Sequence, residues 1–298
     1  MSDAPSTGNG SGFTLGDAAN YALIAFDPHN FQGTANSPMH GSVGVGPYSG
    51  IQLANDTITG DLVTTGAAPQ STGGTVTGTI RGANAALATD ISALTSLSTA
   101  FSGETGASLG ALSNGQTIAA SSGVLDAGGN EVFTVSKWAD NLTISGGAND
   151  HVVLNVGDNS GFKLENLALT GGITANNVLI NYTGSQELHG TNGDTFNGTV
   201  LTPDAKVNVN GVSMNGHVFG GAAGQDFQWV SGANITTPPI PPTPPVCPQP
   251  PYPPVCPPPS GGCSSSAYPG SHCAPPASYC NPCPAPTWHG SYHTHTAW

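Results

Sequence analysis

A five-residue phrase that recurs at a fixed spacing constrains this sequence more than any other feature. It reads apolar-x-Gly-polar-apolar, and its copies carry these glycines: Gly41, Gly60, Gly78, Gly198 and Gly216. Neighbouring glycines are separated by almost the same interval, from 41 to 60 and from 60 to 78 in the first run and from 198 to 216 in the second. A repeat of about 20 residues with alternating apolar and polar positions is typical of a β-solenoid, in which short strands stack course upon course. We predict a mainly β solenoid with about 18–19 residues per course, which extends from position 13 to position 236.

Alternation within the phrase directs the apolar residues and the glycine inward and the polar residues outward. In two courses the outward residues include threonines in a T-x-T pattern: Thr57, Thr59, Thr75, Thr77 and Thr79. The same alternation places Asp61 outward in the first of these copies, and Thr199 and His217 outward in two others. Only two courses of five are then regular, and threonine is also common on any solvated strand.

One segment breaks the β pattern. Within residues 83–101 apolar side chains recur at helical spacing: Leu87, Ile91, Leu94, Leu97 and Phe101. Asn84 precedes them and is a favoured residue type for a helix N-cap. We predict one amphipathic helix that lies along the solenoid and uses its apolar stripe for core packing.

The charge balance excludes several partners. Only 7% of the residues are charged and the net charge is −13, with Arg81, Lys137, Lys163 and Lys206 as the cations. Nucleic acids and anionic membrane surfaces require clustered Lys or Arg. No apolar run approaches the roughly 20 residues that span a bilayer. We expect neither a nucleic-acid partner nor a membrane span, and residues 1–12 are predicted to form a flexible leader without signal-peptide features.

The composition changes abruptly near residue 236. Residues 237–298 hold 20 of the 26 prolines, no Asp, Glu, Lys or Arg, and every cysteine of the chain: Cys247, Cys256, Cys263, Cys273, Cys280 and Cys283. An even cysteine count outside a folded core suits disulfides in an oxidising compartment. We predict a disordered, Pro/Cys/His-rich tail that forms disulfides or intermolecular cross-links. A metal site for zinc or copper is the other possibility, and its ligands would be Cys280, Cys283, His289, His293 and His295.

Three stretches resemble the choice-of-anchor A family of bacterial surface proteins. They are LGDAANYALIAF at 15–26, residues 176–221, and QDFQWVSGANI at 225–235. The resemblance implies a β-solenoid with a carboxy-terminal attachment device that varies between members. The Pro/Cys/His tail occupies the place of that device in this chain.

A further stretch, LTISGGANDHVVLNV at 142–156, is similar to a phrase of the bacterial ice-binding solenoids. The order of elements, with strands before and after one helix, is similar as well. This resemblance implies a right-handed β-helix flanked by one long α-helix, with a flat outer face that binds ice. Because only two courses of five carry the T-x-T pattern, we rank ice binding through Thr57, Thr59, Thr75, Thr77 and Thr79 as the alternative function.

The residues that could carry catalysis are better explained as structural. Ser108 lies in GASLG, but this G-x-S-x-G match lacks the strand before it and the helix after it. Acidic residues occur in turn contexts where carboxylates commonly cap backbone groups: Asp56, Asp150, Asp158 and Asp194. Dispersed histidines suggest no ligand set: His29, His40, His151, His189 and His217. We predict no enzyme activity and no cofactor.

Together these features predict an extracellular, non-enzymatic structural or adhesive protein of the cell surface or matrix. The cell envelope or extracellular matrix is the expected partner, reached through a tail that tethers or cross-links. Self-association through tail disulfides or through the unpaired strands at the solenoid ends is part of this prediction.

Overall fold

The computed structural model describes residues 12–34, 36–70, 73–190 and 192–237. The strands described before the long helix are β1 Tyr21–Ala25, β2 Asn30–Thr34, β3 Met39–His40, β4 Ser42–Val45, β5 Gly50–Ala54, β6 Thr57–Ile58, β7 Leu62–Thr64, β8 Thr75–Val76 and β9 Ile80–Arg81. The helix, α1, covers Ala85–Ser102. The strands described after it are β10 Ala107–Ala111, β11 Thr117–Ala119, β12 Val124–Leu125, β13 Asn130–Lys137, β14 Leu142–Ser145, β15 His151–Val156, β16 Phe162–Leu164, β17 Leu167–Thr170, β18 Val178–Tyr182, β19 Leu188–Gly190, β20 Thr195–Thr202, β21 Val207–Asn210, β22 Ser213–Gly220, β23 Phe227–Val230 and β24 Asn234–Thr236. Short 3-10 turns occupy Gly16–Asn20, Ala120–Ser122 and Ala175–Asn177.

Parallel pairing stacks these strands into a β-solenoid, as predicted, and the solenoid has three faces. The helix face contains β1, β4, β7, β9, β10, β13, β15, β18 and the carboxy-terminal halves of β20 and β22. The neutral face contains β3, β6, β8, β11, β14, β17, β24 and the amino-terminal halves of β20 and β22. The amide face contains β2, β5, β16, β19, β21 and β23. Strand β12 runs antiparallel to β13 at one end.

The order of the strands in the stack differs from their order in the chain. Strand β1 lies between β22 and β4 on the helix face, and β24 lies between β22 and β3 on the neutral face. The amino-terminal courses therefore continue the stack of the carboxy-terminal ones. Helix α1 connects β9 at one end of the stack with β10 at the other. The two runs of the repeat are far apart in sequence. In the stack a single course separates them, and this course contains β1 and β24.

The apolar positions of the phrase form the solenoid interior. Met39, Val43, Phe196 and Val200 are fully buried, as the alternation predicts. Burial of one large apolar side chain stabilises a fold by about 1.5–3 kcal/mol. The interior thus supplies a continuous core along the stack.

The glycine of the phrase lies at the bend between two faces and not in the interior. Gly198 and Gly216 have φ angles of 143° and 149°, which side chains rarely adopt. A Cβ atom on Gly216 would lie 1.8 Å from the carbonyl oxygen of Gly198 in the next course. The stacked glycines therefore let β20 and β22 each turn from the neutral face onto the helix face.

The predicted period holds only in part. Asn197 and Asn215 are stacked neighbours 18 residues apart, but Asn141 and Asn166 are 25 apart and Asn155 and Asn181 are 26 apart. The longer courses add turns outside the strands, such as the one at 146–150. The prediction of one short period for every course is therefore wrong for the central part of the chain.

Helix α1 forms as predicted and covers the helix face. The Asn84 side chain caps it by accepting a hydrogen bond from the Leu87 N–H at 2.9 Å. Leu87, Leu94 and Phe101 are buried, and they pack in a second apolar core that contains the outward side chains of the helix face: Ile24, Val63, Val132, Val153, Leu179, Leu201 and Phe219. The apolar stripe is therefore core packing.

This cover corrects two outward assignments. Thr199 and His217 point away from the solenoid interior, but both are buried and not solvated. The Nδ1–H of His217 donates to the Tyr21 carbonyl oxygen at 2.7 Å, and its ring stacks on Phe219. Alternation alone identified the side of the strand and missed the layer that covers it.

Candidate binding surface

A single column of outward side chains runs along the whole neutral face. The stacking register aligns one residue from each strand, and all are exposed or half-buried: Thr117, Thr143, Ala168, Asn197, Asn215, Thr236, His40, Thr59 and Thr77. Strands in a stack lie about 4.8 Å apart, so this column is about 38 Å long. None of its members is Asp, Glu, Lys or Arg.

A second column lies two residues earlier along the strands. Its paired members include Thr195 with Ser213, Ser213 with Asn234, and Thr57 with Thr75. The pairings described on the neutral face show no register shift, whereas those of the helix face shift at Tyr21/Leu23 and beside Gly110. The neutral face is therefore a regular, extended and uncharged polar surface.

The structure brings four of the five predicted threonines onto this surface. Thr59, Thr75 and Thr77 are exposed and Thr57 is half-buried, and the two T-x-T motifs stack directly on each other. Thr79 lies beyond the Gly78 bend and outside the strands, and its N–H donates to Asp61 at 2.7 Å. It does not belong to the columns of the neutral face.

The repeat predicts that Asp61 points outward beside the threonines, but Asp61 does not interrupt the neutral face. Its carboxylate pairs with Arg81 at the edge of the helix face. The hydrogen bond from the Thr79 N–H, and then the charge and hydrogen bond of Arg81, lower the pKa of Asp61 despite an opposing effect of burial. Asp61 is thus an ionised partner of Arg81.

Sequence reasoning missed the other half of the surface. Thr117 and Thr143 stack at the far end of the same column, and Thr236 lies in the shared course. No copy of the phrase surrounds these residues. Only the stacking order shows that they continue the column begun by Thr59 and Thr77.

Amide side chains hold the centre of the neutral face. Asn215 donates to Asn197 at 3.2 Å, and Asn197 donates to the Leu167 carbonyl at 2.7 Å. Asn166 donates to Asn141 and to Asp194, at 3.2 and 2.9 Å. Because these amides bond one another along the stack, they are held in fixed positions.

The amide face has a different chemistry. Its outward column stacks Asn208, Gln228, Gln32 and Gln52, and Gln228 donates to Gln32 at 2.9 Å. The adjacent column contains the ion pair of Lys206 and Glu187, with 3.1 Å between the charged atoms. The outward column continues from Asn208 to His189 and Lys163. Charged groups thus lie on and beside the amide face and not in the columns of the neutral face.

The remaining candidate residues have structural partners. Each acidic residue assigned to a turn accepts hydrogen bonds there: Asp56 from Ser37, Asp150 from Gly147, Asp158 from Ser160 and Trp138, and Asp194 from Asn166. Burial raises the pKa of Asp56 against the effect of its backbone hydrogen bonds. Ser108 lies within strand β10. In the described ranges no three His, Cys, Asp or Glu residues form a group that could hold a metal ion.

The predicted tail sites lie outside the described residues. These are the six cysteines from Cys247 to Cys283 and the candidate metal ligands His289, His293 and His295. Within the part of the chain that is described, no helix is long and apolar enough to cross a membrane.

The architecture defines a class: a β-solenoid with a split stack and one long helix packed along its side. An antifreeze ice-binding protein from an Arctic yeast shares this fold, with a TM-score of 0.53 and 18% identity over 79% of this chain and 98% of that one. Also similar are an ice-binding protein of the Antarctic ascomycete Antarctomyces psychrotrophicus (TM-score 0.48, 15% identity, 76% and 98% covered) and an ice-binding domain of Shewanella frigidimarina (0.45, 17%, 78% and 100%).

The family follows from the sequence itself. The chain belongs to the family described as "Putative Ice-binding-like adhesive domain", whose model matches residues 6–228. The predicted similarity to ice-binding solenoids is thereby confirmed, whereas the choice-of-anchor A assignment is not. No curated protein matches the chain.

Proposed function

We propose that the solenoid is a non-enzymatic adhesive domain that binds ice through the neutral face. The observation that carries this proposal is the uncharged column of nine outward residues that runs in register along the stack. The family description and the antifreeze ice-binding protein of similar fold support it. Ice binding, ranked second on the sequence, therefore becomes the leading function.

Two properties of the neutral face suit ice: its rigidity and its hydration. Ice is a rigid lattice, so a protein surface that matches it must also be regular and fixed. Threonine has a stiff χ1 angle and presents a methyl and a hydroxyl group. Charged groups hold water strongly and are costly to dehydrate. The stacked T-x-T motifs at Thr57, Thr59, Thr75 and Thr77 combine these properties, and we propose them as the strongest part of the site.

An extracellular location and a tethering tail belong to the same proposal. Ice and cell surfaces are both met outside the cell, and the tail cysteines would cross-link or anchor the domain. At the solenoid ends, Ile80, Val124 and Leu125 are at least 40% exposed. We therefore include end-to-end association of copies in the proposal.

Ice-recrystallisation inhibition by the full chain tests the proposal. We expect inhibition by the wild type and its loss in Thr59→Tyr/Thr77→Tyr, because two bulky rings prevent close approach of the surface. The matched control, Gln32→Tyr/Gln52→Tyr, adds the same rings to neighbouring strands of the amide face and should inhibit like the wild type. Wild-type protein that is folded but without inhibition would contradict ice binding.

The central amides favour a second candidate, adhesion to neutral glycans of a cell envelope or matrix. Fixed amide groups such as those of Asn197 and Asn215 hydrogen-bond sugar hydroxyls well. Binding of wild-type protein to a neutral polysaccharide, lost in Asn197→Ala/Asn215→Ala and retained in Thr59→Tyr/Thr77→Tyr, would support this candidate. Equal binding by all variants would exclude it.

A further inference from the structure

A cavity of about 330 Å³ lies where the helix face meets the amide face, and we call it the corner cavity. Its lining contains Lys137, Trp138, Asp158, Ser160, Gly161, Lys163 and Glu165. The cavity exists because the course that contains β13 has no described strand on the amide face. The chain passes directly from Lys137 to β14, and strand β16 is left with a described partner, β19, on one side only.

The distribution of positive charge marks this cavity. The chain has four Lys or Arg residues, and two of them line this one cavity. The other two form ion pairs outside the cavity, Arg81 with Asp61 and Lys206 with Glu187. The Lys137 ammonium group has no hydrogen bond or ion pair with the described residues, and the Lys163 ammonium group forms a long ion pair with Glu165, at 3.8 Å. The corner cavity therefore holds two exposed ammonium groups that are only weakly paired within the protein.

The two carboxylates of the lining leave both ammonium groups exposed to solvent. Asp158 is buried, and its oxygens accept hydrogen bonds from the Trp138 N–H at 3.1 Å and from the Ser160 N–H and hydroxyl at 2.8 and 2.6 Å. Burial, together with the nearby Asp140, raises the pKa of Glu165. Burial acts to raise the pKa of Asp158, but its hydrogen bonds and the charge of Lys137 lower it, so Asp158 is an ionised neighbour of Lys137.

A second, uncharged groove of about 350 Å³ lies beside the corner cavity. The two linings meet at the chain neighbours Ser136 and Lys137, and again at Gly157 and Asp158. Hydroxyl and amide groups line the groove: Ser102, Ser108, Thr134, Ser136, Asn155 and Thr183. Such groups match the hydroxyls of a sugar, while the two lysines match a negative charge at one end of it.

We propose that the corner cavity and the adjoining groove bind an acidic saccharide, with its carboxylate between Lys137 and Lys163. Nucleic acid fits less well, because it carries one charge per about 1.7 Å of duplex and meets only two cations here. The overall charge of −13 is compatible with binding, since exposed charges are screened beyond about 8 Å at physiological ionic strength. This site is on a different side from the neutral face, and its test does not depend on ice binding.

Calorimetric titration of the full chain with tetragalacturonic acid tests the proposal. We expect saturable binding that weakens with added salt and falls at least tenfold in Lys137→Gln/Lys163→Gln. The control Arg81→Gln/Lys206→Gln removes the same charge from other sites and should bind as the wild type does. Both lysines of the cavity are exposed, so we expect unchanged thermal unfolding in their variant.

Three results would overturn the proposal. The first is the absence of binding to the wild type, and the second is equal loss in the control variant. The third is equal binding of tetraglutamate, which would exclude a site for saccharides, or of the neutral methyl ester of the tetragalacturonate, which would exclude a role for charge.

Discussion

At the scale of single residues, the stack depends on positions where two courses come very close. Gly216 lies at such a position, because its α-carbon faces the carbonyl of Gly198 in the neighbouring course. The sequence predicts the importance of this glycine through its repeat. The physical reason why glycine is needed is visible only in the stacked structure. There the backbone bends at a positive φ angle and lies against the backbone of the next course.

Gly216→Ala should destabilise the fold by about 2–5 kcal/mol, because it combines backbone strain with a clash against the Gly198 carbonyl. The control is Gly193→Ala, where φ is 93° but no atom lies within 4 Å of the new methyl group. Strain alone predicts about 1–2 kcal/mol there. Urea unfolding measures both values, and equal losses would contradict the role of close stacking.

His217 is the residue that couples stability to pH. It is buried, and this burial lowers its pKa below the ordinary 6.5 even though the Tyr21 carbonyl bond acts to raise it. The unfolded chain therefore takes up the proton first as the pH falls. The contribution of His217 is fully present above about pH 6.5 and is lost as the pH falls through that value toward the lower folded pKa.

We expect the free energy of unfolding to decrease between pH 7 and 5.5, and to decrease less in His217→Thr. Threonine occupies the same position of the neighbouring course, at Thr199. The variant keeps some pH dependence because burial also lowers the pKa of His151. Carboxylates whose pKa is raised, such as Asp56, act in the opposite direction nearer their own titration. Urea unfolding at a series of pH values checks this, and identical slopes for both proteins would contradict it.

At the scale of elements, helix α1 is attached by a polar network as well as by its apolar stripe. Asn181 accepts from the Ser98 hydroxyl at 2.6 Å and donates to the Ser98 carbonyl at 3.0 Å and to Asn155 at 2.8 Å. Asn155 in turn donates to the Phe101 carbonyl at 2.7 Å. These bonds fix the register of the helix on the sheet.

Asn181→Ala should cost about 2–4 kcal/mol, because it leaves buried groups of the helix without partners. The matched control is Asn215→Ala on the exposed neutral face, where a change within about 0.5 kcal/mol is expected. Urea unfolding compares the two, and hydrogen exchange of helix amides locates the effect. Equal costs for the two variants would contradict a structural role for the network.

The elements show which features a sequence can predict. Helix α1 was predictable because its cap and its stripe are local signals. The burial of Thr199 and His217 was not, because their cover comes from the helix and from residues 13–21, far away in the chain. A pattern of period two identifies the side of a strand and carries no information about what lies above it.

At the scale of the whole molecule, the split stack determines where function can lie. The repeat predicted the solenoid, and it could not predict that the amino-terminal courses continue the carboxy-terminal ones through β1 and β24. For this reason the threonines proposed from the sequence were confined to residues 57–79. Thr117, Thr143 and Thr236 required the stacking order. The stacking order also brings Lys137 and Lys163 to one cavity, although no sequence motif links the two residues.

The most direct test of the central claim is the adsorption of fluorescently labelled full-length protein to a single growing ice crystal. We predict that the wild type and Gln52→Tyr coat the ice surface, and that Thr59→Tyr/Thr77→Tyr adsorbs at least tenfold less. Exclusion of folded wild-type protein from the ice, or equal adsorption of all three proteins, would contradict an ice-binding neutral face.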